Sequence, residues 1–274
     1  MAFTIVGDAA MISGDVRNSR RAAVFTGGDT DDYYQINALA IAQTAANDTT
    51  GTITAWVMPG NITSTMAIVN FNDANVVEYI DFKIVAGKLT CAVNDATVAQ
   101  FTVVSTDVVC PAHVWTHVAV TQDGVSAKLY VNGVLVPQSF SVSTDVAEWF
   151  NNLDGIDVGQ IGLSSIGGAG AFSEEFVGGI SDVKYYDVAL TAAELLADYN
   201  GVNKTANQVA WFAWNDLTNG GSEGTAAVAV SDVYITPTYN EFISRVRLFG
   251  AVVADAAGFT ESNGRMSVLF INSA

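Results

Sequence analysis

Basic residues are scarce in this chain: eleven lysines and arginines face 28 acids in 274 residues, for a formal net charge of −17. Nucleic acid and anionic membrane would repel such a molecule, so neither is expected as a partner. Long apolar runs are missing too, and none approaches the roughly 18 residues needed to cross a bilayer. The opening stretch from Met1 to Asp8 has neither the basic nor the apolar region of a secretory leader. The expectation is a chain made and first folded in the cytoplasm. Only two cysteines occur, Cys91 and Cys110; both fall in predicted strands and are expected as buried free thiols, since a cross-strand disulfide would require export. No Ser–His–Asp set, phosphate-binding loop or Cys/His zinc spacing is present. His113 and His117 lie four residues apart, a strand spacing of about 13 Å that prevents them from sharing one metal. His117 is expected as a surface or cross-strand residue beside Tyr130.

What the chain does have is a sheet composition. Half of the residues are apolar, 14% are charged, and glycine numbers 24, with a mean hydropathy of +0.31. All-β folds of this length often form one main domain. The most legible stretch runs from Val114 to Val136. Two runs rich in β-branched residues flank Asp123-Gly124, which predicts a two-residue hairpin turn with Gln122 opposite Val125. That register puts Val118, Val120, Ala127, Leu129 and Val131 on one apolar face, with His117, Ala119, Thr121, Lys128 and Tyr130 on the other. Asn132-Gly133 repeats the turn chemistry and makes the unit a meander.

Four blocks carry a family resemblance. AVFTGGDTDDYY (23–34), TITAWVMP (52–59), WTHVAVT (115–121) with KLYVNG (128–133), and FVGGISDVKYYDVALTAAEL (176–195) follow one another in order. Together they resemble the laminin-G-like, concanavalin A-like lectin/glucanase superfamily. The resemblance covers roughly 22–202 and implies an all-β fold, a jelly-roll sandwich of two antiparallel sheets. Residues 1–21 then read as an N-terminal strand and arm, and 203–274 as a β-rich C-terminal extension. Further strands are predicted at 66–71, 76–85, 89–93 and 98–104, with Gly87-Lys88 as a turn. Ala38 to Ala46 has helical propensity in isolation, but the family pattern favours a strand and turn there. One helix is predicted outright: Thr191 caps it, Glu194 completes a capping box, Leu190 and Leu195 form a staple, and Gly201 marks its end.

Hydrolytic members of the superfamily carry an E-x-D-x-x-E set, because retaining cleavage needs an acid and a nucleophile about 5 Å apart. No such set occurs here. Glu174 and Glu175 are adjacent and would point to opposite faces of a strand, so no catalytic residue is expected and the chain is read as not an enzyme. Calcium is the one metal carried forward. Asp29, Asp31 and Asp32 offer hard oxygen ligands, and the resemblance implies that Asp29 and Asp32 would meet Asp182 of the last family strand. Ser181 departs from the family's usual acid at the neighbouring position. Sugar binding needs aromatic faces beside amides and carboxylates, and the candidates are Trp149, Asn151 and Asn152 on one loop, with Phe150 beside them, and Tyr33 and Tyr34 beside the Asp cluster.

All five lysines lie between residues 83 and 204, and the six arginines lie at 17, 20, 21, 245, 247 and 265. Arginine loses less on desolvation and binds carboxylates bidentately, so both ends are expected to face a partner, either copies of this chain or other proteins of an assembly. The function expected is a non-catalytic structural or decoration protein on the surface of a virus (phage) particle, displaying a lectin-like domain to host surface glycan. A secreted or cell-surface carbohydrate-binding module is the alternative, and a glycoside hydrolase the least favoured reading.

Overall fold

The computed structural model describes residues 22–25, 33–166 and 173–213, and the backbone of four short strands beyond them. The chain divides into two compact units, 1–236 and 237–274. In the second, β17 (Glu261–Ser262) pairs antiparallel with β18 (Arg265–Met266).

The first unit is a sandwich of two antiparallel sheets, as expected. One sheet runs in the order β10 (Val134–Leu135), β9 (Ala127–Val131), β8 (Thr116–Gln122), β3 (Gly51–Pro59), β13 (Gly178–Tyr186), β1 (Ala23–Phe25), β16 (Tyr234–Ile235), and β14 (Gln208–Phe212) takes the second half of β13. The other runs β11 (Gln138–Ser143), β7 (Val98–Ser105), β6 (Lys88–Asp95), β5 (Tyr79–Val85), β4 (Thr65–Asn72), β12 (Val158–Ile161), β2 (Tyr33–Gln35), β15 (Val228–Val230). Alternation decides the layers. Ile53, Ala55 and Val57 of β3, Val118 and Val120 of β8, and Leu129 of β9 meet Ile80, Phe82 and Ile84 of β5 and Phe101 and Val103 of β7 in one buried core.

Three local expectations change. The central hairpin pairs Gln122 with Ala127 and Val118 with Val131, so its turn spans four residues rather than two. Asp123 explains the difference: its Oδ1 accepts from the amides of Val125 and Ser126, both at 3.0 Å, and only Gly124 has positive φ. The register moves by two residues, which leaves every side chain on its expected face. Asn132-Gly133 does form the two-residue turn, with φ of 51° and 77°. Second, residues expected as strand and turn form helix α1 (Asn37–Ala46), whose Leu39, Ala40 and Gln43 are buried on one side. A run of alanine with no β-branched residue except Ile41 and Thr44 follows its own propensity once Ile36 and Leu39 reach the core. Third, residues 138–143, for which no strand was expected, form β11, where Phe140 packs on Phe101 at 6.1 Å and pins it as an edge strand.

The predicted helix is α2 (Ala192–Tyr199), with both halves of the Thr191/Glu194 capping box formed. It lies on the outer face of the first sheet, where Leu190 and Leu195 bury against Ala119, Tyr130 and Tyr186. On the opposite side of the core, Gln138 reaches from β11 to β9: its side chain accepts from Leu129 N at 2.7 Å and donates to Ala127 O at 3.0 Å. Both cysteines are free and buried, and burial pushes the Cys110 thiol up to about 12.

Candidate glycan-binding face

The aromatic residues proposed as sugar platforms are mostly core. Trp149 is fully buried and its indole N–H donates to Tyr185 Oη at 3.3 Å. Phe150 packs against Phe71 at 5.3 Å, and Tyr34 is buried against Phe25. Their loop is short enough for the 3-10 turn at 150–152 to fold inward, which a tally of loop aromatics does not reveal. Asn152 is exposed and bonds Glu148, Asn151 and Tyr33 are half-buried, and no aromatic face joins them as a site. Asp182 sits at a bulge in β13 with φ of 52°. Its Oδ1 accepts the Trp211 indole N–H at 2.6 Å. Asp29, Asp31 and Asp32 lie outside the described residues, as do Arg17, Arg20, Arg21, Arg245 and Arg247. Among the described residues no cluster of three or more His, Cys, Asp or Glu is gathered to hold a metal.

The chemistry expected of a sugar site is assembled elsewhere, on the outer face of the second sheet. Asp81, Asn70, Gln160 and Gln35 stand in register across β5, β4, β12 and β2, and Tyr79 and Asn72 pair in the next row. Side chains in such a row are about 5 Å apart and bond laterally. Asn70 Nδ2 donates to Asp81 Oδ1 at 3.3 Å, Asn72 Nδ2 to Asn70 Oδ1 at 2.6 Å, and Ser165 Oγ to Gln160 Oε1 at 2.8 Å. This floor is rigid because each amide is held by its neighbour. Tyr79 and Gln35 at its edges are half-buried, which sets an aromatic ring and an amide next to the floor. Two acceptors on β6, Thr90 Oγ1 and Asn94 Oδ1, are buried without a hydrogen-bond partner among the described residues.

The charge at this face is concentrated on one trio. Lys83 Nζ lies 2.7 Å from Asp81 Oδ2 and 2.8 Å from Glu174 Oε1. Glu174 arrives there because its backbone is held at φ of 56° and its carbonyl accepts from Ala67 N at 2.6 Å, beside the bulge of β4. It is not in a strand, so the expectation about opposite faces does not apply. Burial, and then the neighbouring Glu174, push Asp81 up to about 7 against the pull of Lys83. Burial works against the Lys83 ammonium, but Asp81 and Glu174 outweigh it and hold it above the usual lysine value. Burial also raises the Tyr79 phenol, with Asp81 adding to the effect.

The first sheet carries a second buried charge network. Asp198 of α2 pairs with Lys184 of β13, and its Oδ2 lies 3.0 Å from His117 Nε2 and 3.1 Å from Thr54 Oγ1. His117 is thus neither at the surface nor simply beside Tyr130; it is buried between Trp56 and Tyr199. Its alternation with Val118 placed it on the outer face, and only the docking of α2 makes that face interior.

The matching family model spans residues 27–196 under the description concanavalin A-like lectin/glucanases superfamily. The chain belongs to that superfamily. No curated protein sequence matches it, but solved structures of the superfamily's fold do. A sialidase CBM40 module of Ruminococcus gnavus bound to α2,3-sialyllactose has a TM-score of 0.53 at 16% identity, covering 65% of this chain and 97% of the module. A heptameric SAP-like pentraxin of Limulus polyphemus has a TM-score of 0.52 at 14% identity, covering 82% of this chain and 98% of its own. A leech intramolecular trans-sialidase has a TM-score of 0.52 at 17% identity over 68% of this chain and 28% of the enzyme. At these identities the likeness of this superfamily member to them is one of fold.

Proposed function

We propose that this chain is a non-catalytic lectin-like protein that binds glycan on the outer face of its second sheet and is displayed on a virus particle. The observation that carries glycan binding is the Tyr79 face: a half-buried aromatic ring at the edge of a buried floor of interlocked amides, Asn70, Asn72 and Gln160. Sugars offer hydroxyl donors and flat C–H faces, and this is the complementary set. The non-catalytic part is supported by the state of the carboxylate pair on this face. Asp81 is fully buried and Lys83 binds both it and Glu174, so neither oxygen is free to attack or protonate a glycosidic bond. The particle setting is supported by composition and by the placement of all six arginines near the chain ends, which would dock on other virion proteins or further copies.

A printed glycan array, with Tyr79→Ala as control, tests the binding. Wild type should retain a subset of glycans, and the variant should lose at least tenfold in affinity with an unchanged far-ultraviolet spectrum. Absence of any binding at millimolar sugar would refute it. The setting is tested separately by whether the chain purifies with particles.

A further inference from the structure

The proposed glycan face has a definite charge, and that charge bears on the class of sugar. An acidic glycan needs an arginine or lysine free to meet its carboxylate or sulfate, and charge-assisted pairs of that kind carry most of such recognition. Residues 22–244 contain no arginine. Of the lysines, Lys184 is buried on the other sheet with Asp198, Lys128 is paired with Asp123, and Lys204 with Glu194. On the Tyr79 face itself, Lys83 is already shared by two carboxylates. Lys88 remains, at the turn end of β6, two cross-strand pairs beyond Lys83 and Thr90 and about 20 Å along the sheet from the Tyr79–Asn94 pair, out of reach of a sugar seated on Tyr79.

The opposite end of the same face is strongly negative. Glu78 precedes Tyr79 in the chain, and its carboxyl is raised by burial and then by the charges of Asp95, Asp73 and Asp154. The hydrogen bonds that organise these acids come from backbone amides: Gly155 N to Glu78 at 3.2 Å and Asn75 N to Asp73 at 2.6 Å. No ion pair to any of the four occurs among the described residues. A ligand carboxylate near Tyr79 would therefore approach several charges of its own sign that have no paired cation among the described residues. Sugar hydroxyls carry no charge and escape that repulsion.

Resting on the glycan-binding reading, we infer that the face takes neutral, hydroxyl-rich glycans and rejects sialylated, uronic or sulfated ones. In this it would differ from the sialyllactose-bound module that shares its fold. The test is a matched panel on the full chain by titration calorimetry: neutral oligosaccharides found on the array, lactose, and 3′- and 6′-sialyllactose, at low and physiological salt. Neutral sugars should bind at least tenfold tighter than their acidic counterparts. Asp95→Asn/Asp154→Asn, two changes outside the packed floor, should narrow that gap severalfold while leaving neutral affinity unchanged. Equal or tighter binding of the sialylated forms, or a gap insensitive to the double variant, would overturn the inference. Binding of neither class would sink the glycan reading itself.

Discussion

Asp198→Asn is the substitution whose effect the structure defines most closely. The carboxylate receives Lys184, His117 and Thr54 in a site where the lysine and aspartate side chains are 2% and 4% exposed. Removing its charge takes from the buried Lys184 ammonium the carboxylate it pairs with here, a loss of about 3–5 kcal/mol when one partner of a buried pair is deleted. Lys184 also lies 5.1 Å from the centre of the Trp211 ring, a cation–π contact of about 1 kcal/mol that survives the change. The expected loss is therefore about 3 kcal/mol, read as a lower urea midpoint at unchanged m-value. Adding Lys184→Met should restore most of it, because the cost lies in keeping that ammonium buried once its Asp198 carboxylate is gone. Burial alone would raise the Asp198 carboxyl, but the His117 hydrogen bond and the Lys184 charge hold it well below the usual carboxylate range. A depressed carboxyl contributes stability above its unfolded value, near pH 4, and loses it only as pH falls toward the folded one. The gap between wild type and variant should thus be constant at neutral pH and shrink only in acid. A cost under about 1 kcal/mol, or no rescue by Lys184→Met, would refute this account of how α2 is held.

The remaining predictions concern the core and the proposed face. Asp81 has its folded value raised to about 7, so the native state binds its proton more tightly and this contribution to stability should fall as pH rises from about 4 toward 7; Asp81→Asn should remove that slope in thermal melts. Trp149→Ala should cost about 3–5 kcal/mol in denaturant unfolding, whereas a surface sugar platform would lose binding alone. Gly178 has φ of 126° and a Cβ there would lie 2.1 Å from the Met58 carbonyl oxygen; Gly178→Ala should cost about 2 kcal/mol or more by the same measurement. Cys91 and Cys110 should react with a thiol reagent only at the rate of global unfolding.

Strand identity and layer were legible because alternation needs no knowledge of partners: Val118, Val120 and Leu129 reach the core in either hairpin register. Turn length was not, since it depends on the Asp123 side chain capturing two amides. The candidate face left a signal that was available. Asn70 and Asn72, Tyr79 with Asp81 and Lys83, and Thr90 with Asn94 all recur at even spacing opposite apolar neighbours, the mark of a polar face that only register can turn into one surface. Aromatic loop residues drew attention instead, and whether Trp149 points inward depends on the space beside Gly51 and on the Tyr185 hydroxyl, far from it in sequence. The Lys83–Glu174 pair was hidden for the same reason, as 91 residues separate its members.

Gln138 gives the molecule a social property. By occupying Leu129 N and Ala127 O of β9, it stands in for the strand that another chain would otherwise add at that point, beyond the two-residue β10. That stretch of the rim is plugged by the chain's own side chain. Proteins held at high local density risk templating one another through open rims, and here a neighbouring copy finds those two groups of β9 already taken.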